Sequence, residues 1–148
     1  MSTFRFTTIT ESLPSTVPFV GPETQERENN SLFKARLGAN ENVFGPSPLC
    51  VEAMQNAAKD TWMYGDPENF DLKEKLAALH NTSVKNIVIG EGIDALLGYL
   101  CRLFIEPGDK VVSSLGAYPT FNFHVSGYGG ILKTVPYLND CEDPLSLL

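Results

Sequence analysis

Short apolar runs and longer helical stretches alternate along the second half of the chain. The apolar and β-branched residues at 86–89, 110–114 and 131–135 predict three short strands, the first of them buried. Between them, residues 95–105 are apolar nearly all round and predict an apolar helix, and residues 120–126 predict a second helix. Strand, helix, strand, helix, strand is the order typical of a parallel sheet, so an α/β fold is expected.

The first half of the chain is less regular. Residues 1–30 are rich in Ser, Thr, Pro, Glu and Asn without a helical or strand period, and we interpret them as a mobile arm. Glycines and prolines between 34 and 48 predict a loop with defined turns. We therefore expect an N-terminal arm over residues 1–33, loops and a helix over 34–70, and the first part of a larger domain over 71–148.

Two helix starts are visible in the sequence of this first half. Ser47 followed by Pro48 is typical of an N-cap with proline at the first helical position, and this helix is expected to continue to Lys59. Asp71, with Glu74 three residues later, predicts a capping box at the start of a second helix. Leucines at helical spacing then mark one face of that second helix.

Composition and charge narrow the choice of partners. The net charge is −7, which argues against nucleic acid and anionic membranes because both require a basic surface. The N-terminus lacks a signal-peptide pattern and no apolar run reaches transmembrane length, so a cytoplasmic protein is expected. The three cysteines are far apart and only two histidines accompany them, so no metal site is expected.

A glycine pair lies between the first predicted strand and the helix that follows it. Gly90 and Gly92 allow positive φ and close approach of a ligand, and a helix N-terminus offers unpaired amides with a partial positive charge. One interpretation is a site for a phosphate group. The other is a tight turn that binds nothing, and this motif alone does not decide between them.

A dinucleotide site is the weaker of two ligand-binding interpretations. Gly90, Gly92 and Ala95 match the Gly-x-Gly-x-x-Gly/Ala fingerprint of dinucleotide-binding folds. That fingerprint also requires an acidic residue at the end of the next strand, where this chain has Ser113 and Ser114. A dinucleotide fold also usually opens with this strand, whereas more than eighty residues precede it here.

Five separated stretches resemble the aminotransferases of fold type I, which use pyridoxal phosphate (PLP), and are most similar to the histidinol-phosphate aminotransferase group. They are the Asn-Glu-Asn loop at 37–48, the Tyr-Gly-Asp-Pro turn at 64–67, the phosphate turn at 90–94, the strand start at 106–112 and the Tyr-Pro-Thr-Phe segment at 116–121. The resemblance implies a partial large domain with three α/β/α layers, preceded by an N-terminal arm. It also implies PLP as the cofactor, and an amino donor and a 2-oxo acid as substrates.

The resemblance gives five residues a role in binding the cofactor. Gly92, Ile93 and Asp94 would hold the PLP phosphate, with the Asp94 side chain expected to turn back onto the helix amides. Tyr118 matches the aromatic residue that stacks on the pyridine ring. Tyr64 matches a tyrosine that reaches the phosphate of the neighbouring subunit, which implies a homodimer. Without a ligand, Asp94 would be an ordinary helix-start carboxylate, Tyr118 a half-buried core tyrosine and Tyr64 a loop aromatic.

Other positions carry a weaker match or depart from the family. Asn40 would line the substrate entrance. Phe121 stands where the family often has a tyrosine, and Gly65 and Gly116 replace two prolines of the family pattern.

The lysine that binds PLP covalently in this family is not found among the 148 residues. The seven lysines are Lys34, Lys59, Lys73, Lys75, Lys85, Lys110 and Lys133, and none follows a Ser-x-Ser sequence. We therefore expect no catalytic residue in this chain. The sequence is interpreted as the N-terminal portion of an aminotransferase that is inactive by itself, and a non-catalytic truncated remnant stays open as an alternative.

Overall fold

The computed structural model describes residues 4–15, 19–38 and 41–148. Within these ranges the helices are α1 Thr8–Ser12, α2 Pro22–Asn29, α3 Pro48–Ala57, α4 Phe70–His80, α5 Gly92–Phe104, α6 Pro119–Gly127 and α7 Pro144–Leu147, and the strands are β1 Lys110–Ser114 and β2 Ile131–Val135. The chain forms two compact units, one of Met1–Val20 with Gly90–Leu148 and one of Gly21–Ile89. None of the helices in the described ranges is long and apolar enough to cross a membrane.

The first unit is built on a parallel pair of strands. Strand β1 pairs with β2 in parallel, Lys110 opposite Ile131 and Ser114 opposite Val135, and α6 forms the crossover between them. Val125 of α6 is fully buried. The predicted strands at 110–114 and 131–135 are confirmed, and so are the two helices, although α5 begins three residues earlier than predicted. The unit therefore has the expected α/β character.

Helix α5 packs against α6 at a glycine. A Cβ built on Gly98 would lie 3.0 Å from Cε1 of His124, so the absence of a side chain at this position allows the close approach. Gly98 and Cys101, one turn further along α5, are both buried. This contact fixes α5, and with it the turn that precedes α5, relative to the crossover helix.

The strand predicted at residues 86–89 is wrong. A 3₁₀ turn at Val84–Asn86 precedes Ile87, whose backbone is extended with φ −118° and ψ 123°. Extended backbone becomes a strand only when a neighbouring strand takes its N–H and C=O groups, and no described residue pairs with this segment. Ile87 therefore has the backbone conformation of a strand without the hydrogen bonds of one.

Two short helices form in the N-terminal region, where the sequence has no helical period. The hydroxyl of Thr7 accepts from the amide of Thr10 at 3.2 Å and begins α1. Pro22 occupies the first turn of α2, and Asn30 ends that helix in the left-handed conformation with φ 47°. Neither helix buries a residue, so no apolar period marks them in the sequence. The division into arm, loops and larger domain stays a prediction.

Two helix caps are predicted in the unit of residues 21–89, and one of these predictions is confirmed and the other is wrong. The hydroxyl of Ser47 accepts from the amide of Cys50 at 3.2 Å, so the predicted N-cap of α3 is confirmed. The predicted capping box at the start of α4 is not formed. Instead, the carboxylate of Asp66 accepts from the amide of Phe70 at 2.7 Å, and this bond holds the pKa of Asp66 below its ordinary value. The acceptor therefore lies upstream of the predicted one.

The three free cysteines differ in accessibility, and we expect them to differ in reactivity. Cys101 is 1% exposed and burial raises the pKa of its thiol, whereas Cys50 and Cys141 are exposed. Because the thiolate is the reactive form, iodoacetamide at pH 8 should alkylate two thiols quickly and Cys101 slowly. Peptide mass spectrometry over time measures this, with a urea-unfolded sample as the control. Equal rates at all three positions in the native sample would contradict the buried position of Cys101.

Candidate cofactor-binding site

The turn before α5 requires glycine at two positions for different reasons. Gly92 has φ +83°, which side chains rarely adopt, and its amide donates to the carbonyl of Gly90 at 2.8 Å. A Cβ on Gly90 would lie 3.0 Å from Cδ2 of Leu96 and 3.2 Å from Cε2 of Tyr99. The turn is therefore closely packed on its inner side at Gly90, and there is open space around Gly92.

The first turn of α5 presents unpaired amides. Within the described residues, the amides of Ile93 and Asp94 find no backbone acceptor, and the N-cap residue Glu91 gives no side-chain cap. Unpaired amides at a helix N-terminus carry a partial positive charge and favour anions. Ile93 is 60% exposed, so an anion can reach this turn from solvent.

The carboxylate of Glu91 is engaged elsewhere. It accepts from the hydroxyl of Tyr99 at 2.9 Å. The pKa of Glu91 is lowered, first by the backbone amide of Glu91 itself and then by the Tyr99 hydroxyl. The pKa of Tyr99 is raised because its hydroxyl donates to this carboxylate. The Glu91 carboxylate beside the turn is therefore hydrogen-bonded to Tyr99 on the helix surface.

Two of the predicted cofactor-binding residues lie together. The hydroxyl of Tyr118 donates to Oδ1 of Asp94 at 2.8 Å, although the two residues are 24 positions apart in the chain. The prediction that Asp94 turns back onto the helix amides is wrong, because Tyr118 offers it a donor instead. Tyr118 is 49% exposed, so its ring stays accessible. The bond joins the α5 turn to the loop after β1.

The loop after β1 positions Tyr118 directly before α6. Gly116 has φ +100° in this loop, a conformation that proline cannot adopt because its ring fixes φ near −65°. The departure from the family proline at this position is therefore a requirement of the turn seen here. At the strand end, the buried hydroxyl of Ser114 donates to the carboxylate of Glu142.

The roles of the two remaining predicted residues stay predictions. Tyr64 belongs to the unit of residues 21–89 and is fully exposed, so its contact with the phosphate of a neighbouring subunit stays a prediction. Asn40 lies outside the described residues. The structure brings together Gly92, Ile93, Asp94 and Tyr118.

The cluster fits a cofactor that has a phosphate group and an aromatic ring. Two free amides at a helix N-terminus suit the phosphate, and an exposed tyrosine ring beside them suits a flat heterocycle. The sequence pattern of the family described as "Aminotransferase class I and II" matches residues 34–146. This chain belongs to that family.

Relatives and a solved structure agree with this assignment. The chain is 34% identical over 132 residues to the histidinol-phosphate aminotransferase of Moorella thermoacetica, covering 89% of this chain and 34% of that protein. It is 43% identical over 91 residues to the histidinol-phosphate aminotransferase of Methanocella arvoryzae, covering 62% of this chain and 25% of that protein. The chain spans about a third of the length of the first of these curated relatives and a quarter of the second.

The crystal structure of histidinol-phosphate aminotransferase from Sinorhizobium meliloti in complex with pyridoxal-5'-phosphate superimposes with a TM-score of 0.91 at 55% sequence identity. It covers 99% of this chain, and the match takes in 39% of that protein. The fold is therefore part of the α/β fold of that aminotransferase.

Proposed function

We propose that this chain forms the amino-terminal portion of a PLP-dependent aminotransferase, which transfers an amino group between a histidinol-phosphate-like amine and a 2-oxo acid. Family membership supports the reaction class. The names of the most similar relatives support the substrate class. None of the seven lysines follows a Ser-x-Ser sequence, and this supports the proposal that the chain by itself is inactive.

The hydrogen bond between Tyr118 and Asp94 is the observation that carries this proposal. It places an accessible aromatic ring beside the unpaired amides of Ile93 and Asp94, from two sequence motifs that are separate in the chain. An anion site alone would suit many ligands. An anion site next to an aromatic face suits a phosphorylated heterocycle, and the family to which the chain belongs narrows this to PLP.

Each residue has a distinct task in this proposal. The amides of Ile93 and Asp94 bind the phosphate, and the positive φ of Gly92 turns them toward it. Tyr118 fixes the plane of the pyridine ring, with its hydroxyl held by Asp94. Bound PLP supplies an electron-withdrawing ring that stabilises charge at the substrate carbon.

The partner of this chain in the proposal is a second copy of the same protein. Tyr64 extends fully into solvent from its loop, as a residue that serves a neighbouring subunit must. Its hydroxyl would donate to the phosphate of the cofactor bound by that subunit. Asn40 is proposed to line the substrate entrance.

A PLP titration followed by ¹⁵N NMR tests the proposed site. Charge-assisted hydrogen bonds contribute roughly 1.5–3 kcal/mol each, and ring stacking roughly 0.5–1.5 kcal/mol. Two such bonds and the stacked ring together reach about 7.5 kcal/mol at most, about 3.5 kcal/mol above the lower end of the roughly 4–15 kcal/mol cost of association. We therefore expect a dissociation constant no lower than about 3 mM, measured as shifts of the Ile93 and Asp94 amides that still increase at about 10 mM PLP.

Two matched ligands make this titration specific. Pyridoxal, which lacks the phosphate, should leave the two amides unshifted, and NADH tests the dinucleotide interpretation. Shifts with NADH and none with PLP would overturn the proposed cofactor. No shift with PLP at tens of millimolar would remove the α5 turn as its binding site.

A further inference from the structure

The residue at the N-cap of α5 presents a difficulty for an anion site. A carboxylate at or near an N-cap accepts readily from the amides of the first helical turn. Glu91 is that residue here, and the amides within its reach are those of Ile93 and Asp94. A free Glu91 carboxylate would occupy these amides and repel a phosphate. The proposed site therefore needs a device that keeps this side chain away.

Tyr99 has the geometry of such a device. It lies eight residues after Glu91, two helical turns further along α5, and its hydroxyl donates to Oε2 of Glu91 at 2.9 Å. The Glu91 side chain makes no hydrogen bond to the first-turn amides. The carboxylate is thus drawn along the outside of the helix, and the amides of Ile93 and Asp94 are left free.

The ring of Tyr99 is fixed by a second contact. A Cβ on Gly90 would lie 3.2 Å from Cε2 of Tyr99 and 3.0 Å from Cδ2 of Leu96. The ring therefore packs against the backbone of the same turn whose carboxylate it holds. The pKa of Glu91 is lowered first by its own backbone amide and then by the Tyr99 hydroxyl, and the pKa of Tyr99 is raised by the Glu91 carboxylate, which agrees with a bond between an ionised carboxylate and a protonated phenol.

We infer that Tyr99 is a positioning residue for cofactor binding: by holding the Glu91 carboxylate it keeps the amides of Ile93 and Asp94 available to the PLP phosphate. This rests on the proposed function, because it concerns the same site. Tyr99 has no contact with the cofactor in this scheme and acts through Glu91 alone. Its role is to prevent self-inhibition of the turn by the chain's own carboxylate.

The test measures PLP affinity of the 148-residue chain and its variants by the NMR titration of the Ile93 and Asp94 amides. Tyr99→Phe keeps the ring and removes the hydroxyl, so we expect PLP and inorganic phosphate to bind about 3- to 10-fold more weakly. The ligand-free Tyr99→Phe chain should already show shifted Ile93 and Asp94 amides, because Glu91 now occupies them. Adding Glu91→Gln to Tyr99→Phe should restore the affinity of the unaltered chain, since the competing charge is gone.

Two further variants complete the design. Tyr128→Phe is the matched control, because no described residue receives a hydrogen bond from the Tyr128 hydroxyl, and its affinity should be unchanged. Glu91→Gln alone should bind PLP at least as well as the unaltered chain, and it serves if Tyr99→Phe does not fold. Weaker binding by Glu91→Gln would overturn the inference.

The remaining outcomes separate this inference from the proposed function. Equal affinity of Tyr99→Phe and the unaltered chain would overturn the inference and leave the cofactor site in place. If Tyr99→Phe binds PLP more weakly and adding Glu91→Gln does not restore the affinity, Tyr99 has a packing role. This outcome would overturn the inference as well. No binding by the unaltered chain would reject the proposed site, and the role of Tyr99 with it.

Discussion

Gly130→Ala is expected to lower the free energy of unfolding of the unit that contains the sheet by about 1–3 kcal/mol, the usual cost of overpacking a core. A Cβ at this position would lie 2.9 Å from Cγ2 of Ile105 and 2.9 Å from Cγ1 of Val125. Val125 is fully buried, so its side chain cannot move out into solvent to relieve the contact. The added methyl would also lie 3.1 Å from the carbonyl oxygen of Val125, which accepts from the Gly130 amide.

Urea unfolding followed by circular dichroism measures this loss, and Gly127→Ala is its matched control. Gly127 is the last residue of α6, lies three positions before Gly130, and has open space where a Cβ would be added. Its substitution should change stability by less than about 0.5 kcal/mol or raise it slightly, because alanine suits a helix better than glycine. Similar losses in the two variants would show that the close contact at Gly130 does not govern stability.

The sequence predicts most reliably those elements whose residues meet their partners within the described chain. Strands β1 and β2 pair with each other, and both were predicted with the correct bounds. The segment at 86–89 has the same apolar pattern without a partner among the described residues, and it forms no ladder. An apolar pattern indicates that residues tend to be buried. A strand also needs a neighbouring strand that pairs with its backbone N–H and C=O groups.

Caps and exposed helices follow a different rule, because polar side chains decide them. The caps at Thr7 and Asp66 depend on which of the nearby side-chain oxygens accepts from an amide at the helix start. Several Asp, Ser and Thr residues compete for each helix start, and the pattern of residue types does not rank them. Helices α1 and α2 bury nothing, so periodicity contains no signal for them.

For the candidate site, the sequence predicts single residues but not the contacts between them. Its members at Asp94 and Tyr118 were predicted one by one from their motifs. Their hydrogen bond depends on how α5 packs on α6, which no local pattern encodes. Glu91 and Tyr99 were not predicted, although a spacing of eight residues places two side chains on one helical face. A glutamate at an N-cap followed eight residues later by tyrosine was the available signal.

The purified 148-residue chain is expected to show no aminotransferase turnover. In this family the reaction depends on a lysine that binds PLP and moves a proton, and the lysines of the unit with the candidate site are Lys110 and Lys133. Lys110 begins β1 at the end opposite to Tyr118, about 13 Å along the strand from Ser114. Lys133 is exposed in the middle of β2, opposite Val112. Neither lies in the turn before α5 or in the loop after β1, which hold the amides and the tyrosine ring.

The assay incubates the chain with PLP, histidinol phosphate and 2-oxoglutarate. Chromatography then measures the glutamate that is formed from 2-oxoglutarate. The histidinol-phosphate aminotransferase of Sinorhizobium meliloti is the positive control, because this chain matches 39% of that protein at 55% identity. A Lys110→Arg and Lys133→Arg double variant is the second control, since it removes both amines of the unit and keeps their charge. Turnover above the no-enzyme blank would reject the expectation. Its loss in the double variant would then assign the catalytic amine to one of these two strands.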